Sequence, residues 1–169
     1  DRLVDLGDVT PSAFAKRLAA RYEKDPRQVE VVLRESTRIV RMDRGVIIAE
    51  TPHGFVCANA GVDASNAPES HPVVLLPVDP DATARHIRDT IQQRWGVAPA
   101  VVITDSFGRP WRSGIVNIAI GVAGMSPFND YRGQYDEHGY ELRATVLAVA
   151  DEVASAAELI MGKLDRRPV

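Results

Sequence analysis

The chain has 169 residues, 45% of them hydrophobic and 25% charged, and its net charge at pH 7 is −3. These values are typical of a globular protein with one domain, or of one domain with a small appendage. They exclude a basic nucleic-acid surface, and no apolar run approaches the roughly 20 residues of a membrane span. A single cysteine, Cys57, excludes an internal disulfide and indicates a reducing compartment, so we expect the cytoplasm.

Two helices are predicted near the start of the chain. Thr10-Pro11 offers an N-cap residue followed by proline at the first helical position, and Asp25-Pro26 repeats that pattern. Apolar residues recur at helical spacing after each pair. After these helices the spacing of apolar residues changes to that of β-strands. It predicts four short strands, at residues 38–41, 46–50, 54–58 and 73–76, and a turn at Asp43-Arg44-Gly45 between the first two.

The second half of the chain predicts two more helices and two more strands. Asp79-Pro80 starts a helix that carries Ala84, Ile87, Ile91 and Trp95 on one face and that Gly96 ends. The other predicted segments are strands at 101–104 and 115–122, turns at 128–140 and the longest helix at 142–161. The apolar stripe of that longest helix is predicted to lie in the core. The whole pattern predicts an α+β fold in which helices pack on a mixed β-sheet.

Two aspartates are the first candidate functional residues. Asp63 and Asp105 each follow a short apolar run and are surrounded by small residues, so we expect both to lie in loops. Carboxylates in such loops can hold a hard divalent cation, and two such loops brought together could hold it between a nucleotide phosphate and an acidic substrate. Asn66 and Ser106 add polar groups to the two loops. A turn aspartate that bonds to its own backbone is the alternative for Asp63.

Arg109 and Arg112 follow Asp105 closely and predict a clamp for an anion, because the guanidinium fork suits carboxylates and phosphates. The alternative is a surface turn around a partly buried Trp111. No phosphate loop of the Walker type and no GxGxxG after a strand is present, so any nucleotide site has another design. Residues 130–132 are either a further polar cluster or a structured loop, and the histidines lack metal-ligand spacing. Cys57 is expected to be a small buried residue.

Four segments, in this order, resemble the signature of the coenzyme F420 gamma-glutamyl ligases: residues 53–66, 105–112, 117–124 and 157–163. The resemblance covers nearly the whole chain. With residues 164–169 it is most similar to the actinobacterial form, in which a flavin-binding, nitroreductase-like domain follows the ligase domain. It implies that residues 1–169 are a ligase domain without its N-terminal GTP-contacting strand and loop and its C-terminal strands. It also implies a gamma-glutamyl ligase-like fold that forms an intertwined homodimer.

The activity that the resemblance implies is GTP-dependent ligation. L-glutamate is added to F420-0, a deazaflavin that ends in a phospholactyl carboxylate, and gamma-linked glutamates then extend the tail through acyl-phosphate intermediates. The implied cofactors are Mg²⁺ or Mn²⁺, with one or two ions in each site, and K⁺.

Position by position, Asp63 and Asp105 match metal-binding aspartates, and Ser106 matches a position tied to a second metal. Asn66 matches a nucleotide contact, and Met161, Gly162 and Lys163 match a segment near GTP. Lys163 stands where some relatives have an acidic or amide residue, and from the sequence alone it could also cap the last helix.

Two other functions remain open at this stage. One is a non-catalytic platform that binds metal and nucleotide and presents the deazaflavin to an attached reductase domain. The other is a ligase for a different acidic acceptor, which pocket shape would decide. Substituting Asp105→Asn separates catalysis from the platform, because only a ligase loses its reaction with the fold intact.

Overall fold

The computed structural model describes residues 2–64 and 72–165, which belong to two compact units divided between Val78 and Asp79. Both units combine short strands with helices, so the predicted α+β class is confirmed, and four α-helices lie within the described ranges. None of the helices in those ranges is long and apolar enough to cross a membrane.

The first unit begins with strand β1 (Leu3–Asp5), helix α1 (Ala13–Tyr22) and helix α2 (Pro26–Arg34). Thr10 is not the N-cap of α1, contrary to prediction. Ser12 takes that role because its Oγ accepts the N–H of Ala15 at 3.1 Å, which satisfies a donor that the helix cannot.

The capping device predicted at Asp25 is confirmed. Its carboxylate accepts the N–H of Arg27 at 2.8 Å, and Pro26 occupies the first turn of α2. Proline is well suited there because its missing N–H would have had no partner inside the helix.

Three antiparallel strands follow in the order β2-β3-β4: β2 (Arg38–Asp43), β3 (Val46–Glu50) and β4 (Val56–Ala58). The predicted hairpin is confirmed, and Arg44 and Gly45 turn it with φ angles of 47° and 78°. Both residues are left-handed, as the tight turns that match strand twist require.

A second, two-stranded sheet pairs β1 antiparallel with β5 (Pro72–Val74), so the fourth predicted strand is confirmed over part of its length. Strand β1 has too short an apolar pattern to be predicted. Val73 is fully buried at the centre of this unit. The core around it comes from both helices and both sheets: Leu6, Ala15, Ala19, Val29, Val32, Ile47, Ala49, Val62 and Leu75.

The second unit is built on a long hairpin of β6 (Val101–Gly108) and β7 (Ile115–Ala123). Helix α3 (Pro80–Trp95) precedes it, with Asp79 as N-cap and Gly96 as C-cap as predicted. On the predicted apolar face of α3 only Ala84 is fully buried, while Trp95 is 67% exposed. The unit ends with a short ladder and a helix: β8 (Asn129–Asp130), β9 (Val146–Leu147) and α4 (Val149–Met161).

The prediction for the last helix is wrong in two respects. It begins at Val149 and not at residue 142, because Val146 and Leu147 pair with β8, and α3 is the longer helix. Its buried residues are Ala150, which belongs to the predicted core stripe, and Ala154, which does not. Val153 and Ile160 of that stripe are 45% and 76% exposed. The helix is rotated because three of its polar side chains bond to β7, namely Asp151, Ser155 and Glu158.

Gly121 allows α3 to approach β7 closely. A Cβ atom on this residue would lie 2.4 Å from the backbone carbonyl carbon of Pro80. Backbone at the first turn of α3 cannot yield as the end of a flexible side chain can, so the strand and the helix would have to separate.

We predict that Gly121→Ala lowers the free energy of unfolding by about 1–3 kcal/mol, the usual cost of an added group in a packed contact. Gly108→Ala on the same hairpin is the control, because nothing lies within 4 Å of the Cβ that it would add. Chemical denaturation of the two variants and the wild type measures the difference. Equal stabilities for the two alanine variants would contradict the close approach.

Candidate functional site

Asp105 and Ser106 lie inside strand β6 and not in the loop that the sequence predicted. The strand continues to Gly108 because residues 105–108 pair with residues 115–118 of β7. Consecutive side chains of a strand project to opposite faces of the sheet. Asp105 and Ser106 therefore offer their oxygens on different faces of the hairpin.

The face with Ser106 carries a chain of hydrogen bonds that reaches α4. The Ser106 hydroxyl lies 2.9 Å from Oδ1 of Asn117, and Nδ2 of Asn117 donates to Oε2 of Glu158 at 2.7 Å. Ser155 on the same helix donates its hydroxyl to the Asn117 carbonyl at 2.9 Å. Asn117 is only 8% exposed, so its amide depends on these partners.

Asn117 and Glu158 were not singled out by the sequence analysis. The available signal was a lone amide in an otherwise apolar strand, which a buried position allows only when the amide is hydrogen-bonded. Glu158 gave no such signal, because a glutamate on a helix is ordinarily a solvated residue.

Residues 109–114 form the exposed loop that joins β6 to β7. The guanidinium of Arg109 donates to the carbonyl of Ser113 and closes the loop. Trp111 is fully exposed and has a φ of 58°, so it is not the partly buried tryptophan of the alternative interpretation. Arg112 is exposed on the same loop, where its guanidinium is accessible to an anion.

Asp63 belongs to the first unit, and its backbone is held by β5. The N–H of Asp63 donates to the Val74 carbonyl at 2.9 Å, and the N–H of Val74 donates to the Asp63 carbonyl at 2.8 Å. Asp63 is therefore bridged to a strand, and its side chain is half-buried. Asn66, the nucleotide contact predicted three residues later, lies outside the described residues.

The turn before Asp63 has an unusual backbone. Three consecutive residues adopt the left-handed backbone conformation: Asn59, Ala60 and Gly61, with φ angles of 52°, 52° and 71°. Oδ1 of Asn59 accepts the N–H of Ile47 at 3.3 Å, and a Cβ on Gly61 would lie 2.5 Å from the side chain of Leu76. Contacts on both sides thus hold this turn and fix the position of the backbone that leads into Asp63.

The segment predicted to lie near a nucleotide ends α4. Gly162 has a φ of 62° and its N–H donates to the Glu158 carbonyl at 3.0 Å, while Met161 is half-buried and Lys163 is exposed. Glu158 therefore ends the helix through its backbone and holds Asn117 through its side chain. This connects the predicted nucleotide segment to Ser106.

The other chemically active residues of the first unit have structural roles. The Pro77 carbonyl can only accept, so Nε2 of His53 donates to it at 2.8 Å, and Nδ1 accepts from the Thr51 hydroxyl at 3.3 Å. His53 also stacks on Phe55, with ring centroids 5.6 Å apart. Cys57 is buried in β4, as predicted.

Three of the predicted site residues carry oxygen ligands of the type that a magnesium ion prefers. Asp63, Asp105 and Ser106 offer hard oxygens, and the described ranges contain no group of three or more His, Cys, Asp or Glu that could hold a metal. Mg²⁺ commonly uses one or two carboxylates and completes its shell with water and substrate phosphates. An ion held by one of these carboxylates would therefore also need a phosphorylated ligand.

The polar cluster at residues 130–132 is a structured loop. Nε and Nη2 of Arg132 donate three hydrogen bonds to the Asp130 carboxylate, and the backbone N–H of Arg132 donates to the same group. These donors favour the charged carboxylate and lower the pKa of Asp130 from 3.8 to about 2. Both side chains are used locally, so this cluster is not a candidate site.

We predict that Arg132→Gln raises the pKa of Asp130 from about 2 toward 3.8, measured as the midpoint of its carboxyl carbon titration by NMR. Because the pKa is lowered in the folded chain, any stabilisation from this pair is complete above pH 3.8 and is lost as the pH falls toward 2. Arg143→Gln, which removes the exposed partner of Glu141, is the control and should leave Asp130 unchanged. An unchanged midpoint in Arg132→Gln would contradict the assignment.

Comparison with known proteins gives a consistent result over the whole chain. The sequence model of a family described as F420-0:Gamma-glutamyl ligase matches residues 1–169. Proteins named coenzyme F420:L-glutamate ligase from Methanopyrus kandleri, Methanothermobacter thermautotrophicus and Methanocaldococcus jannaschii are 51%, 47% and 45% identical to this chain over 163 residues. The matches cover 96% of this chain and 64%, 64% and 65% of the relatives, so the chain spans less than two thirds of their length.

These relatives correct one expectation from the sequence. All three come from archaea, so the similarity is to the archaeal type and not to the actinobacterial fusion with a nitroreductase-like domain.

Proposed function

The chain belongs to the F420-0:gamma-glutamyl ligase family, and we propose that its protein joins L-glutamate to coenzyme F420-0 through an amide bond. The observation that carries this proposal is the family match over all 169 residues, together with relatives of that named activity at up to 51% identity. The oxygen donors on β6 and the arginines of the following loop support it, since the reaction joins anionic substrates.

The reaction proposed has two steps. A carboxylate oxygen of F420-0 attacks the γ-phosphorus of GTP, and GDP departs to leave an acyl phosphate. The glutamate amine then attacks the acyl carbon, phosphate departs with the bonding electron pair, and the nitrogen loses a proton to give the amide. Repetition on the terminal γ-carboxylate of the product would extend a gamma-linked tail.

The protein must above all neutralise negative charge, because phosphoryl transfer brings two anions together. We assign Arg109 and Arg112 to the anionic groups of the substrates. Arg109 also closes its loop by bonding to Ser113, so Arg112 is the more accessible of the two. Lys163, exposed just after α4, is assigned with Met161 and Gly162 to the nucleotide.

Asp63 and Asp105 are each proposed as a carboxylate ligand for Mg²⁺ or Mn²⁺, and Ser106 as a ligand for a second cation. A bound cation of this type would neutralise phosphate charge and orient the transferred group. K⁺ is proposed as a further activator, and Asn66 as a contact to the nucleotide.

The outer face of α4 supports the proposal of a homodimer. Val153, Leu159 and Ile160 are 45%, 87% and 76% exposed, which places three large apolar side chains on one short helix. A surface of this kind is typical of one that another protein surface covers.

We predict that the full-length protein, incubated with F420-0, GTP, Mn²⁺ and L-glutamate, gives a product heavier by one or more glutamyl residues in mass spectrometry. Asp105→Asn should slow that reaction on the order of 100-fold or more, because it removes a charge that the phosphoryl transfer needs. Asp89→Asn makes the same chemical change on the exposed side of α3 and is the control. Far-UV circular dichroism would verify that each variant is folded.

No mass gain, with GTP and Mn²⁺ binding still detectable, would overturn the ligase proposal and favour the platform or another acidic acceptor. A full rate in folded Asp105→Asn would instead leave ligation standing and overturn the role of Asp105.

A second prediction concerns Arg112. Arg112→Gln should raise the KM for F420-0 roughly 10-fold or more, as expected for the loss of a charged hydrogen bond to an anion. Arg94→Gln, which removes an exposed arginine in the last turn of α3, should leave KM unchanged. Steady-state kinetics with the full-length protein tests both, and equal KM values would contradict the anion clamp.

A further inference from the structure

The hydrogen-bond chain from Ser106 to Glu158 joins three elements of the second unit. Ser106 lies on β6, Asn117 on β7 and Glu158 on α4, with donor–acceptor distances of 2.9 Å and 2.7 Å along the chain. A part-buried chain of this kind fixes helix against sheet, and it also fixes where protons lie.

The direction of each hydrogen bond follows from the chemistry of its end. An ionised carboxylate can only accept, so the NH₂ group of Asn117 must face Glu158. The amide oxygen of Asn117 then faces Ser106, and this oxygen can also only accept. Ser106 must therefore donate its proton to Asn117.

This direction determines what Ser106 can bind. A hydroxyl has one proton and two acceptor lone pairs. With the proton directed to Asn117, only lone pairs remain for another ligand, which suits a cation and excludes a second acceptor. If the amide of Asn117 were reversed, Ser106 would accept from the NH₂ group and would direct its own proton outward, toward the cation.

Asn117 is also held in place from its backbone. Ser155 donates to its carbonyl at 2.9 Å, and its side chain is almost fully enclosed. We propose that Glu158 and Asn117 are positioning residues that orient the Ser106 hydroxyl so that its lone pairs receive a cation. This inference rests on the proposed function, in which Ser106 is a cation ligand.

The test is a double-mutant cycle on the binding of Mn²⁺ alone to the full-length protein, followed by the electron paramagnetic resonance signal of unbound Mn²⁺. Glu158→Met removes the acceptor and keeps a helix-forming side chain of similar length. We expect it to weaken binding roughly fivefold or more, and Ser106→Ala to weaken binding at least as much. In the Ser106→Ala background, Glu158→Met should have no further effect.

Two controls separate orientation from charge and from folding. Glu158→Gln keeps an acceptor oxygen for Asn117, so it should retain the wild-type affinity. Glu152→Met makes the same substitution at an exposed position of α4 and should also bind normally. Any partial unfolding caused by Glu158→Met would occur in both backgrounds and would not vanish with Ser106.

Several outcomes would overturn the inference. They are an equal loss from Glu158→Met in both backgrounds, normal binding by Ser106→Ala, and a loss in Glu158→Gln as large as in Glu158→Met. Absence of Mn²⁺ binding to the wild type would overturn this inference and the proposed cation sites together. Glutamate ligation without coupling in the cycle would refute the inference alone, whereas coupling without ligation would refute only the proposed reaction.

Discussion

Two aspartates that accept backbone N–H groups from β7 set the arrangement of the second unit. Asp81 accepts from Val122 at 2.7 Å and Asp151 accepts from Ala119 at 2.8 Å. Each aspartate lies in the first turn of a helix, where the helix dipole favours a negative charge. The same carboxylates satisfy N–H groups of β7 that are not used in its pairing with β6. Both helices are thus tied to one strand at defined points, in addition to their packing.

This arrangement explains why α4 presents small residues to the sheet. The hydrogen bonds between α4 and β7 require a short distance between helix and strand. The small side chains of Ala150 and Ala154 permit this distance. The larger apolar residues, such as Ile160, are left on the outer face. Hydrophobic periodicity alone places large apolar residues in the core, so it predicts the wrong rotation for this helix.

Most predictions that rest on local chemistry are confirmed, with Thr10 as an exception because Ser12 caps α1, whereas several that rest on distant partners are not. The caps Asp25 and Asp79 act on backbone within three residues of themselves, so short sequences suffice to predict them. Strand β6 extends through Asp105 because Asp105 pairs with Ile118. The residues of this segment are typical of turns, so the sequence did not predict the extension. For the site, the sequence predicts oxygen donors and arginines. Tertiary contacts determine which face each side chain occupies. They also place Asn117 and Glu158 where these residues orient the Ser106 hydroxyl.

Backbone strain is concentrated in two segments that adjoin residues proposed for the site. In the described ranges, five residues other than glycine have a positive φ: Glu23, Arg44, Asn59, Ala60 and Trp111. Two have local reasons, since one ends α1 and one turns the β2–β3 hairpin. The other three lie just before Asp63 and between Arg109 and Arg112. Ala60 and Trp111 are each expected to cost on the order of 1–3 kcal/mol, whereas asparagine adopts this conformation more readily. Strain persists only where neighbouring contacts impose it, as Ile47 and Leu76 do before Asp63. The strained residues of these two segments thus lie next to Asp63, Arg109 and Arg112, which we propose for the site.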